Sequence, residues 1–210
     1  MSRRPKKTRA PLKVTVVTPS IPDRSAMLAE ACASLAAQTL PPVAHLIEVD
    51  YRYQGPGALL NRMIAAARSE WISILADDDL YDPDHLETLA AHSQDADIVL
   101  SWCRIEGREE KQHRGEFNPH DFTRRRDTGM RGCFMFRKSL WERVGGWRED
   151  IAGEDLDFLV RAYARSARFV PVYRETWTYR FHDTNCSHIY RAVINGEPLP
   201  DNLYHLARHV

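Results

Sequence analysis

At 210 residues the chain is long enough for one substantial hydrophobic core and short for two independent ones. Lysine plus arginine equals aspartate plus glutamate at 29 each, so the summed charge exerts no general pull on nucleic acid or an anionic membrane. No stretch approaches the ~20 consecutive apolar residues that cross a bilayer, and the N-terminus lacks the apolar centre of a secretory signal, so the expectation is a soluble, cytoplasmic protein without a transmembrane segment. Cys32, Cys103, Cys133 and Cys186 are scattered with no C-x-x-C pair, which points to reduced thiols rather than a zinc knuckle or a redox couple.

In chain order, residues 1–11 hold Arg3, Arg4, Lys6, Lys7 and Arg9 among prolines with no apolar periodicity, the pattern of a disordered basic tail. Residues 12–210 are expected to form a single domain. Val14 to Thr18 is a β-branched run closed by Pro19, as in a buried parallel strand. Asp23 is placed to cap a helix bearing Leu28, Ala31 and Leu35, which Pro41-Pro42 forbids from continuing. A second strand from Ala44 to Val49 ends at Asp50, and Gly55-Pro56-Gly57 opens a helix with Leu60, Ile64 and Ala67.

Trp71 to Ala76 predicts a third strand, followed by Asp77-Asp78-Asp79 and by Asp82-Pro83 as cap and first position of a further helix. Asp97 to Cys103 predicts a fourth strand, and the polar stretch from Arg104 to Thr128, with Arg124-Arg125-Arg126, a long surface excursion. Helical spacing returns around Leu140 and again from Glu154, with two final strands near Phe169 to Tyr173 and Thr176 to Phe181. Strands alternating with helices imply an α/β fold with a Rossmann-like, mostly parallel sheet and helices on both faces, binding its ligand at the C-terminal strand ends.

Consecutive aspartates at such an edge repel one another, by roughly 4 kcal/mol for unit charges ~4 Å apart at an effective dielectric near 20. A divalent cation would relieve that repulsion, and Mg2+ or Mn2+ shared between carboxylates and phosphate oxygens suits a nucleoside diphosphate. The plainer alternative is an acidic turn leading into the helix at Asp82.

Leu75-Ala76-Asp77-Asp78-Asp79-Leu80-Tyr81 resembles the D-x-D region of the inverting glycosyltransferases of family 2. Other segments resemble that family in the same order: the strand from Val14 to Ser20, Asp50, a G-x-x-x-x-x-N-R stretch from Gly55 to Arg62, Gly145-Gly146-Trp147, Glu154-Asp155, and Tyr179 to His182 with Asn185 and Ser187. The resemblance implies a GT-A fold and transfer of a sugar from a nucleotide-sugar donor, a UDP- or GDP-sugar, to an acceptor hydroxyl with Mn2+ or Mg2+ as cofactor. It assigns Pro19, Ser20, Arg24, Asp50, Asn61, Arg62, Asp77 and Asp78 to the donor, and Asp78, Asp79 and His182 to the metal. Asp155 becomes the general base, with Glu154 orienting the acceptor or substituting as base; as residues alone, the pair is also what a helix N-terminus favours.

The chain departs from the family pattern at Ala76, a position often acidic, so which two of the three aspartates act stays open. Tyr51-Arg52-Tyr53 replaces the usual run after the second strand. Two other function classes compete. A nucleotidyltransferase would carry a glycine-rich phosphate loop after the first strand, whereas Thr18-Pro19-Ser20-Ile21-Pro22 has no glycine. A nucleic-acid-associated protein, including a transferase acting on DNA, would use the basic tail and Arg124 to Arg126, against the balanced net charge. The acceptor is not legible.

Overall fold

A computed structural model of the protein describes residues 11–107, 114–124, 130, 132–151 and 153–185. The basic tail through residue 10, Arg125, Arg126, Cys186 and Ser187 lie outside the described residues. The elements, in chain order, are β1 (Val14–Ser20), a 3-10 turn (Pro22–Arg24), α1 (Ser25–Ala36), β2 (Ala44–Val49), α2 (Pro56–Ala66), β3 (Trp71–Ile74), β4 (Leu80–Tyr81), α3 (His85–Ala91), β5 (Ile98–Glu106), α4 (His120–Thr123), β6 (Met135–Arg137), α5 (Lys138–Val144), α6 (Glu154–Ala164) and β7 (Phe169–Arg180).

The strands form one seven-stranded sheet in the order β2-β1-β3-β6-β5-β7-β4. Strand β1 runs parallel to β2 and β3, and β5 runs parallel to β7. The antiparallel β6 sits between β3 and β5, so β1, β2, β3, β5 and β7 share one direction and the sheet is mostly parallel. Each face is covered. Leu59, Ile64, Phe136, Leu140 and Phe158 lie in one core, under α2, α5 and α6; Ala31, Leu35, Leu86 and Leu89 lie in the other, under α1 and α3. Fully burying a side chain of this size stabilises the fold by roughly 1.5–3 kcal/mol before entropy is counted.

Several boundaries differ from the sequence-based expectation, each for a tertiary reason. Asp23 caps nothing with its side chain and lies inside the short 3-10 turn that begins at Pro22. Helix α3 begins at His85, not at Pro83, because Asp82 is drawn to the sheet: its amide donates to the Thr176 carbonyl at 2.9 Å and its carboxylate pairs with Arg104. The two expected terminal strands are one strand, β7, whose register against β5 shifts between Ser101 and Cys103. The stretch from Arg104 is not all surface, since β5 continues to Glu106 and α4 inserts Phe122, fully buried, into the core.

His85 is buried completely, with Nδ1 2.7 Å from Thr176 Oγ1, which in turn lies 2.6 Å from Ser101 Oγ. Its ring stacks on Tyr81 at 3.8 Å between centroids. Burial pushes the imidazole down from 6.5 to about 3, so the folded protein holds it neutral. The unfolded chain takes up that proton near 6.5 and the folded one does not, so stability present above pH 6.5 is lost progressively as pH falls toward 3. The urea midpoint is therefore expected to drop between pH 7 and pH 4.5, and His85→Gln to show a shallower drop; parallel slopes for both proteins would remove His85 as the cause.

Candidate active site

Because β1 and β3 are neighbours and parallel, their C-terminal ends open on the same edge, with Ser20 closing one strand and Asp77 following the other. The two meet directly: Ser20 Oγ donates to Asp77 Oδ2 at 2.8 Å. The 3-10 turn after β1 delivers Arg24 to the same place, where its Nη1 lies 2.9 Å from Asp77 Oδ1 and 2.8 Å from Asp78 Oδ2. A second guanidinium nitrogen, Nη2, donates to the Thr184 carbonyl.

A tight turn, with the Asp79 amide donating to the Ala76 carbonyl at 3.2 Å, separates the three carboxylates into different surroundings. All are nearly excluded from solvent, at 3%, 6% and 3% exposure for Asp77, Asp78 and Asp79. Asp78 Oδ2 gathers donors: Arg24 Nη1, Asn185 Nδ2 at 3.1 Å and His182 Nε2 at 3.2 Å. Burial alone would raise the Asp78 pKa, but the His182 hydrogen bond and the Arg24 charge outweigh it and hold the carboxyl below its ordinary value. Asp79 turns the other way. Its Oδ1 accepts the Arg180 amide at 3.1 Å and its Oδ2 lies 3.7 Å from Cys133 Sγ, while burial and then the charge of Asp78 push its pKa well up.

The repulsion expected from three adjacent negative charges is thus met within the protein by pairing Asp77 and Asp78 with Arg24, while burial pushes the Asp79 pKa up. Asp77 itself is raised, chiefly by burial, against the opposing charge of Arg24. As a cation site the donor set fits at Asp78 and His182, while the Asp79 oxygens face the Arg180 amide and the Cys133 thiol. Asp78 Oδ2 and His182 Nε2 converge, and a guanidinium already stands in as the cation. His182 Nδ1 accepts the Thr184 amide at 3.3 Å and lies 2.9 Å from Thr184 Oγ1, which leaves the imidazole proton on Nε2 facing Asp78, so an ion bound there would displace that proton. Among the described residues no group of three or more His, Cys, Asp or Glu forms a metal cage, so an ion here would complete its shell with phosphate or water.

Asp50, beside Ser20 through its amide bond to the Ser20 carbonyl at 2.8 Å, spends its carboxylate on its own loop: Oδ1 accepts the Arg52 amide at 3.2 Å and Oδ2 the Gly55 amide at 2.9 Å. Pro19 pairs with Glu48 across the strands. Arg62 is exposed and tied to Glu48 and Gln54. A cleft lined by Met27, Glu30, Arg180, Phe181 and His182 opens beside the cluster.

Asn61, expected at the donor, makes hydrogen bonds to protein with both its amide oxygen and its amide nitrogen. Oδ1 accepts the Trp147 amide at 2.8 Å and Trp141 Nε1 at 3.1 Å, while Nδ2 donates to the Trp147 carbonyl at 2.9 Å and Glu149 Oε1 at 2.8 Å. It clamps the Gly145-Gly146-Trp147 turn. Gly146, at φ +75°, is required there because a Cβ would stand 2.8 Å from Asn61 Oδ1. Gly57, in the first turn of α2, lies so close to this segment that a Cβ would meet the Arg148 carbonyl at 2.4 Å.

The acidic pair sits downstream of that clamp, at the start of α6. Phe158, one turn along, stacks on Trp147 at 3.9 Å and on Phe134 at 6.3 Å, and Phe134 follows Cys133, the neighbour of Asp79. Asp155 Oδ1 accepts the Leu156 amide at 2.7 Å, and among the described residues its other oxygen accepts no hydrogen bond. Glu154, its side chain crowded by burial and then by the Asp155 charge, has its pKa raised from 4.5 to about 7. Cys133 and Thr184 join the site without any sequence signal, since neither lies in a motif. Asn61→Ala is expected to lower unfolding stability by about 1–3 kcal/mol, the usual result of orphaning buried polar partners; a urea midpoint equal to that of the wild type would refute the clamp.

A family model, Glycosyl transferase family 2, matches residues 12–145. Among solved structures, S. aureus TarS 1–349 in complex with UDP-GlcNAc superposes with a TM-score of 0.69 at 16% identity, over 93% of this chain and 64% of that one. The same fragment with UDP gives 0.66 at 17% identity, over 82% and 62%. The mannosyltransferase PcManGT from Pyrobaculum calidifontis, in complex with GDP-Man and Mn2+, gives 0.59 at 14% identity, over 93% and 69%. The chain therefore spans less than two thirds of these TarS fragments. No curated protein matches it. Among the described residues no helix is long and apolar enough to cross a membrane.

Proposed function

The chain belongs to glycosyl transferase family 2, and from that membership we propose that it moves a sugar from a UDP- or GDP-sugar to an acceptor hydroxyl in one displacement that inverts the anomeric centre. The observation that carries this reading is the convergence of Asp78 Oδ2 and His182 Nε2 on a position already filled by positive charge, at the edge where parallel α/β sheets bind ligands. Likeness to folds crystallised with UDP-GlcNAc and with GDP-Man and Mn2+ supports the donor class.

In this reading Asp78 and His182 hold a divalent cation, Mn2+ or Mg2+, which supplies charge neutralisation to the departing nucleoside diphosphate. Ser20, Asp77 and the Asp50 loop shape the floor on which the donor lies, with Pro19 behind them, and Arg62 stands at the rim. Asp155 takes the acceptor hydroxyl's proton on the opposite face of the sugar, as the new C–O bond forms and the bond to diphosphate breaks. Its second oxygen, which accepts no hydrogen bond among the described residues, suits that role. Glu154, ionising near neutrality, adds negative charge beside the base as pH rises through its pKa of about 7.

Asp155→Asn is expected to cut transfer by roughly 10²–10⁴-fold, the usual contribution of a positioned base, while donor binding measured by calorimetry stays unchanged. Undiminished transfer of radiolabelled sugar would reject Asp155. The rate is also expected to rise with pH through about 7, and Glu154→Gln to abolish that rise; a rise that persists in the variant belongs to another group. A thermal-shift screen of UDP, GDP and their sugar conjugates, each with and without Mn2+, tests the whole reading, because a ligand bound only by the native state raises its melting temperature. Absence of any nucleotide-dependent shift would overturn it.

A further inference from the structure

We propose that Arg24 is a built-in counter-cation lodged where the divalent cation binds, so that loading the site is an exchange in which the guanidinium leaves Asp78 and releases Thr184. This inference rests on the cation-dependent reading of Asp78 and His182 given above.

A single nitrogen, Arg24 Nη1, bridges Asp77 Oδ1 at 2.9 Å and Asp78 Oδ2 at 2.8 Å. The bridged oxygen of Asp78 is the one that His182 Nε2 approaches to 3.2 Å. An ion bound between Asp78 Oδ2 and His182 Nε2 would share that oxygen with Nη1 and stand beside a second positive charge in a site where water screens little, since the Arg24 side chain is only 10% exposed. Dication and guanidinium therefore compete rather than add. Arg24 can give way because it stands on a single 3-10 turn, held there by the Arg24 amide bond to the Ile21 carbonyl at 3.1 Å, while its long side chain does the reaching.

The competition extends to the turn that carries His182. Arg24 Nη2 donates to the Thr184 carbonyl, and the turn is otherwise closed by its own bonds, with the His182 amide donating to Asn185 Oδ1 at 2.6 Å and Asn185 Nδ2 reaching Asp78 Oδ2 at 3.1 Å. With the cation absent, Arg24 neutralises the carboxylates and ties residues 182–185 to the strand end. With the cation present, both tasks pass to the ion through Asp78 and His182, and the guanidinium is free to turn toward the donor's diphosphate. By linkage, whatever holds Arg24 on Asp78 weakens the ion by the same factor.

The test uses Mn2+ alone, titrated into the full chain and followed by the paramagnetic resonance of the free ion. Arg24→Met is expected to bind Mn2+ roughly tenfold more tightly than the wild type, within the usual range of coupling between sites. It is also expected to melt lower without Mn2+ and to recover more on its addition. Because Arg24→Met leaves two carboxylates facing each other, Arg24→Lys provides a second variant. It keeps the charge, but one ammonium cannot span both carboxylates and the Thr184 carbonyl as the planar fork does, and its Mn2+ affinity should fall between the other two. Equal or weaker Mn2+ binding by the variants overturns the exchange and leaves the donor reading standing. If Mn2+ binds none of the proteins, and Asp78→Asn changes nothing, the cation site and the exchange fall together.

Discussion

Carboxylates at the end of a buried parallel strand lose most of their hydration, and an ionised side chain persists there only if other groups replace the water. Asp78 is the side chain for which the surroundings do this: a guanidinium from the turn after β1, an imidazole and an amide from the turn after β7 all converge on one of its oxygens. Removing any single partner leaves charge uncompensated in a region that water barely enters. Asp79, one residue on, receives the opposite treatment, a backbone amide and a thiol in an apolar setting that favours its neutral form. Adjacent residues of identical chemistry thereby meet surroundings that move their acidities in opposite directions.

This arrangement depends on the sheet. Only because β1 and β3 are neighbours in parallel does Ser20 reach Asp77, and only because β7 returns to the same edge does the turn bearing His182 and Asn185 close over Asp78. Arg180, near the end of β7, reinforces that closure by donating its Nε to the Asp78 carbonyl at 2.5 Å, while its amide holds Asp79. The acidic pair at α6 is positioned by a separate device, the Asn61 clamp on the glycine turn and the stack of Trp147 on Phe158. The acidic cluster at Asp77 to Asp79 and the acidic pair at α6 are thus held by two substructures that meet at the segment containing Cys133 and Phe134.

Much of this was legible in the residues. The βα rhythm, the β-branched first strand and the acidic triplet at a strand end follow from local pattern, since hydrophobic period and turn chemistry are properties of neighbouring residues, while the order of the motifs was legible through the family resemblance. The boundaries that shifted are those under nonlocal control. Asp82 looks like a helix cap in isolation, yet the Thr176 carbonyl and Arg104 compete for it from far along the chain. Phe122, in a polar stretch, reads as surface until α4 is folded onto the core.

For the site, residue types and spacing determined that negative charge gathers at Asp77 to Asp79, that a second acidic pair opens α6, and that a histidine follows the last strand. Only the tertiary structure decided what each does electrostatically. That Asp79 is buried against Cys133, that Asn61 clamps a turn, and that Arg24 stands on Asp78 as a cation are outcomes of contacts between segments tens to more than a hundred residues apart, and side-chain burial and pairing of that kind have no signature in local order.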